Sequence, residues 1–133
     1  MNIMRRVIVV LGILVLGVLA ISVALADEHH AKVALVPVGG SGVTGFVQLE
    51  QIPSGGTNIH VVARGLQPGG DYVSLYYDNS TCTLPGDTLG AYTANRGGVG
   101  TTNGKIDDDL DEVDSVSVRT AGDLTLLACA RVH

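Results

Sequence analysis

The run Asn58-Ile59-His60-Val61-Val62-Ala63-Arg64-Gly65-Leu66, the turn Gln67-Pro68-Gly69-Gly70 and the run Asp71-Tyr72-Val73-Ser74-Leu75-Tyr76-Tyr77-Asp78 decide the fold. In the first run Ile59, Val61 and Ala63 alternate with His60, Val62 and Arg64. In the second, Tyr72, Ser74 and Tyr76 alternate with Val73, Leu75 and Tyr77. A period of two sends alternate side chains to opposite faces of a strand, and Pro-Gly-Gly is turn chemistry. The same grammar extends outward. Residues 32–38 stop at Gly39-Gly40-Ser41-Gly42, and residues 43–52 break at Pro53-Ser54-Gly55-Gly56. Further runs cover residues 89–94, 99–106, 113–119 and 124–132. Eight short strands with turns between them predict an all-β sandwich or barrel. The first four, joined by short links, are expected to be antiparallel neighbours. No stretch after Ala26 carries a helical period.

The chain has 133 residues, enough for one domain. Its apolar content of 46% is weighted toward the start, where Arg5 and Arg6 precede the uncharged run from Val7 to Ala26. A basic start, an apolar middle and the ending Ala24-Leu25-Ala26 describe a signal peptide, residues 1–26, cut after Ala26. The alternative is a retained membrane anchor of similar length. A short polar tail, residues 27–31, then leads into a domain at 32–133. Without the leader, six basic residues face thirteen acidic ones, for a charge of −7. That balance argues against a nucleic-acid binder, and membrane contact is expected only if the leader is kept.

Cys82 and Cys129 both follow the leader, where oxidation is permitted. They allow one bridge closing 47 residues; two free thiols or an intermolecular bond are the alternatives. The acidic run Asp107, Asp108, Asp109, Asp111, Glu112 and Asp114 is either a solvated connection or an oxygen-rich Ca²⁺ loop, although its spacing does not follow the helix-loop-helix pattern. Asn79-Ser80-Thr81 is an N-glycosylation sequence that matters only in a eukaryotic secretory host. If cleavage falls after Ala26, Asp27-Glu28-His29 offers a free amine, two amide nitrogens and an imidazole, a square-planar set that suits weak Cu(II) or Ni(II) binding. The bland reading of the same residues is a polar tail. Phosphate-binding glycine loops, Cys-x-x-Cys, His-Glu-x-x-His and a supported Ser/His/Asp set are all missing from the sequence.

Several segments resemble Cu/Zn superoxide dismutases. They are Ser41-Gly42-Val43-Thr44-Gly45-Phe46-Val47-Gln48-Leu49-Glu50-Gln51, Arg64-Gly65-Leu66-Gln67-Pro68-Gly69, Gly86-Asp87-Thr88-Leu89-Gly90 and Leu127-Ala128-Cys129-Ala130. The early strands are also similar, more vaguely, to chordin-type (CHRD) domains. The resemblance runs in order through nearly the whole chain after the leader. It implies an eight-stranded antiparallel Greek-key sandwich behind a hydrophobic signal helix, with Cys129 bridged to Cys82.

The family's chemistry does not carry over with its pattern. Ser74 and Tyr76 stand where the family has its copper-binding His-x-His pair, and both are poor substitutes for imidazole. Asp87 matches a zinc-ligating Asp, but the histidines expected before it are missing, and Leu126 stands in place of the substrate-guiding Arg. Of the four histidines, His29, His30, His60 and His133, none falls in that region, and His60 reads as a solvated strand residue. No catalytic residue and no core metal site can be assembled. Tyr72 and Tyr76 either fill the vacated face or form a shallow recognition patch. The leading expectation is therefore a secreted, non-enzymatic binding or structural module whose partner is an unidentified protein or small ligand. The alternatives are a dismutase-family enzyme or metal handler with non-standard ligands, and a membrane-anchored surface module.

Overall fold

The computed structural model describes residues 29–133. The leader, its cleavage site, Asp27 and Glu28 lie outside the described residues. Among the described residues nine strands form two sheets: β1 (His30–Ala34), β2 (Val36–Pro37), β3 (Thr44–Gln51), β4 (Thr57–Arg64), β5 (Asp71–Tyr77), β6 (Asp87–Thr93), β7 (Gly100–Ile106), β8 (Ser115–Thr120) and β9 (Leu126–Arg131). The four-stranded sheet has the order β1-β3-β4-β7 and the five-stranded sheet β2-β9-β8-β5-β6. Every paired neighbour is antiparallel. Among the described residues no helix is long and apolar enough to cross a membrane.

Alternation drives this assembly. Ile59, Val61 and Ala63 on β4 are wholly buried between the sheets, as are Val47 on β3 and Val116 and Val118 on β8. Branched side chains suit such positions because their restricted rotamers fit an extended, pleated surface. Gly45 lets β3 approach β4 closely: its φ is +132°, and a Cβ there would run into the Val62 carbonyl.

Three expectations change. The first run divides: β1 pairs with β3, the chain turns inward at buried Leu35, and β2 pairs with β9. One continuous segment thus closes one side of the sandwich. β1 also takes in His30 and Ala31, which pair with Glu50 and Leu49 and so do not belong to the polar tail. Finally, β5 is not a neighbour of β4. Residues 65–70 carry the chain to the other sheet, where the Leu66 N–H donates to the Gly98 carbonyl at 3.0 Å and Gly69 N–H to Ala94 O at 2.9 Å. The turn composition at Pro68-Gly69-Gly70 marks a link but not the sheet it leads to.

The acidic run is the crossover from β7 back to the five-stranded sheet at β8, and holds a short 3-10 turn at Leu110–Glu112. It is tied to the β3–β4 hairpin. Asp109 Oδ1 accepts from Gly56 N–H at 2.8 Å and from Gln51 Nε2 at 2.9 Å, and Gln51 Oε1 accepts from Leu110 N–H at 2.7 Å. Buried Leu110 and Val113 anchor the turn to the core.

Candidate functional site

Ser74 and Tyr76, which the sequence resemblance sets against a copper-binding pair, lie on β5, a strand covered on both sides. Tyr72, Ser74 and Tyr76 face the interior between the sheets, where Tyr72 and Tyr76 pack with the main core. Ser74 is fully buried, and its hydroxyl meets that of Tyr92 at 2.8 Å. Tyr72 is only 6% exposed, stacks against Tyr92 with ring centroids 6.3 Å apart, and accepts the Gln67 N–H on its hydroxyl at 2.9 Å. The recognition patch of Tyr72 and Tyr76 is therefore not a surface: Tyr72 is core, because its ring fills the space between the sheets. Tyr76 is half-buried at a small depression of about 210 Å³ that Asp78, Asp87 and Asp108 also line. Burial first, then the carboxylates of Asp87, Asp108 and Asp107, push the Tyr76 phenol above its ordinary value of 10.0. Burial also raises Tyr92, against the opposing hydrogen bond from Ser74. Both phenols are thus held in the neutral form, and neutral phenols coordinate metal poorly.

The other side of β5 presents Leu75 and Tyr77, which form a second small core with Cys82, packed by Val73, Leu126 and Cys129. The loop between β5 and β6 lies over this outer face, and Cys82 and Cys129 form the disulfide that pins it there. Such a bond forms and persists in an oxidising compartment. Gly86 rests directly on the Tyr77 ring, leaving no room for a side chain.

Beneath the loop, Arg119 is 6% exposed and none of its partners is a carboxylate. Its Nε donates to the Tyr77 hydroxyl at 2.8 Å, one terminal nitrogen to Leu124 O at 2.6 Å, and the other to Cys82 O at 2.7 Å. The Tyr77 hydroxyl also meets Ser117 Oγ at 2.7 Å. Ser115 Oγ donates to Asn79 O at 2.5 Å and accepts from Cys82 N–H at 3.2 Å. Three donors spread the guanidinium charge over a β5 phenol, the β8–β9 link and the β5–β6 loop, so Arg119 ties that loop to the strands beneath it. Among the described residues no buried side-chain polar atom lacks a partner.

The glycosylation sequence lies in this loop. Asn79 Oδ1 accepts from Thr81 N–H and Thr83 N–H, and its amide donates to Thr83 O at 2.9 Å. In the acidic crossover, Asp109, Asp111 and Glu112 bring carboxylate oxygens within 4.8 Å of one another. Asp109 is committed to Gly56 and Gln51, bonds that hold its carboxyl below the ordinary range. Of the Asp27-Glu28-His29 set, only exposed His29 is among the described residues.

The outer face of the four-stranded sheet is the least covered surface. Register stacks its side chains in rows: His30, Glu50, Asn58 and Lys105 in one, and Lys32, Gln48, His60 and Asn103 in the next. An open depression of about 620 Å³ sits over these rows, reaching from His30 and Lys32 on β1 to Asn103 on β7. Lys32 Nζ lies 4.6 Å from the Phe46 ring centre, on the same face. His60 is half-buried here, so it is a wall of this depression and not simply a solvated strand residue. Sequence reading missed the convergence, although polar residues at period two on β1, β3, β4 and β7 are its trace. No protein-family description matches the chain, and no curated protein matches it.

Proposed function

We propose that the chain is an exported, non-enzymatic binding module on an eight-stranded Greek-key sandwich of the Cu/Zn superoxide dismutase type, without that family's copper and zinc site. The strand order supports the fold. With β1 and β2 taken as one strand, the chain runs through three neighbours, crosses to the second sheet after β4, returns to the first for β7 and crosses once more after β7. Interrupted neighbour order of this kind is what a Greek key produces. The apolar leader and the disulfide support export.

The observation that carries the functional reading is the fate of Ser74: fully buried, hydroxyl to hydroxyl with Tyr92, in a packed interior. The histidines offer no replacement, since His29, His30 and His60 sit on the side of the four-stranded sheet and His133 bonds Leu110 O at 3.1 Å. A redox ion needs several nitrogen or sulfur donors around one pocket. Fold likeness alone does not supply activity. The test is superoxide turnover by the purified, exported chain after incubation with copper and zinc salts. Turnover no greater than that of the free salts is expected. Turnover that co-purifies with the folded chain and needs Tyr76 would establish the alternative, a family enzyme with non-standard ligands.

A further inference from the structure

The outer face of the four-stranded sheet separates charge from the rest of the molecule. Among the described residues the exposed Lys and Arg are Lys32, Arg64, Arg96, Lys105 and Arg131, and three of these five stand on this face. Of eleven described Asp and Glu, only Glu50 does. In a chain whose formal charge is −5, this face is thus locally cationic, and among the described residues nothing covers it. Between the cations lie Gln48, Asn58 and Asn103, amides that both donate and accept.

We propose that this face binds an acidic polysaccharide laid across β1, β3, β4 and β7. The proposal deepens the binding-module reading and rests on it. Carboxylate or sulfate groups of the glycan pair with Lys32, Lys105 and Arg64, and the three amides take its hydroxyls. Lys32 and Lys105 lie on the outer strands of the sheet, three strand spacings apart or roughly 14 Å, so a short run of sugar rings bridges them. Charge complementarity over that distance survives physiological salt only in part, because the screening length is about 8 Å; binding therefore weakens as salt is added. A single-stranded nucleic acid is the poorer fit. It needs aromatic platforms for its bases, and the one aromatic ring on this face, Phe46, is half-buried with Lys32 over it. An anionic bilayer needs apolar side chains to insert, and the depression is lined mainly by polar residues.

The experiment uses the exported chain and affinity electrophoresis or calorimetry with polygalacturonate, with dextran and single-stranded DNA as comparisons. Expected are retention by polygalacturonate, none by dextran, and weaker binding to DNA. The Lys32→Ala/Lys105→Ala variant should lose about tenfold in affinity, whereas Arg96→Ala/Arg131→Ala, which removes the two exposed cations off this face, should change it less than about twofold. Should the lysine variant fold poorly, Asn103→Ala provides the second probe, with an expected loss of roughly threefold. No retention by polygalacturonate, tighter binding to DNA, or equal losses in the two double variants would overturn the proposal. Failure here leaves the module reading standing, whereas metal-dependent turnover would remove that reading whatever the polysaccharide result.

Discussion

The two sheets share one core and differ on their outer faces. Outside the five-stranded sheet, the β5–β6 loop is stapled down by Cys82–Cys129, and Arg119, Ser115 and the Tyr77 ring connect it to the strands. Outside the four-stranded sheet no loop among the described residues lies across the central rows, which present amides, imidazoles and lysines. One face is sealed and the other open. A sealed face whose donors are all satisfied contributes stability and is poorly placed for chemistry; an open polar face contributes little stability and is free to recognise something. Substitutions on the two faces should therefore have opposite signatures.

The largest effect is expected from Cys82→Ser with Cys129→Ser. Opening a 47-residue loop should cost about 4 kcal/mol in the chain-entropy account, read as a lower denaturant midpoint under non-reducing conditions. A loss near zero would mean that the loop is held without its staple. Next comes Arg119→Met, which keeps the apolar stem but orphans the Cys82 and Leu124 carbonyls and leaves the Tyr77 hydroxyl with Ser117 alone. It should cost about 3 kcal/mol, in the same assay.

A pH effect is expected at the crossover. Asp109 is held below its ordinary value of 3.8 by Gly56 N–H and the Gln51 amide. The folded state thus favours the carboxylate, so this contribution is present above pH 3.8 and is lost as pH falls through the lowered value. Asp109→Asn should flatten the acid limb of the stability profile, which thermal melts between neutral and strongly acid pH would read. An unchanged limb would show that the tie is not made in solution. The smallest effect belongs to the open face, where Gln48→Ala should stay within about 0.5 kcal/mol of the parent while weakening any ligand held there. A large stability loss at Gln48 would erase the distinction between the faces.

Much of the architecture was legible before the structure. Ile59, Val61 and Ala63 against His60, Val62 and Arg64 reveal a strand and its buried face, and the Gly/Pro clusters mark the links. Where β5 goes is not legible, because residues 65–70 read the same whether the chain returns to the sheet or crosses. Nor does period two tell which side of β5 is outward. Tyr72 and Ser74 point between the sheets while Leu75 and Tyr77 lie under the loop, so both sides are buried. Of the two readings of the tyrosines, filling the face fits Tyr72, and only Tyr76 reaches a surface depression. Arg119 reads as an ordinary polar residue until the loop above it is seen. The open face needed register: His60 meets Gln48 and Asn103 only once β3, β4 and β7 are aligned, and no single run contains that information. The 3-10 turn at Leu110–Glu112 hid in an acidic run that looked like plain solvated connection.

The most direct measurement is the copper and zinc content of the folded chain after native export, taken per molecule by elemental analysis with no metal added. With Ser74 and Tyr76 turned toward a packed core that holds no imidazole, well under one equivalent of either ion is predicted. One copper per chain, retained through gel filtration and lost on unfolding, would mean that the molecule gathers donors this structure keeps apart.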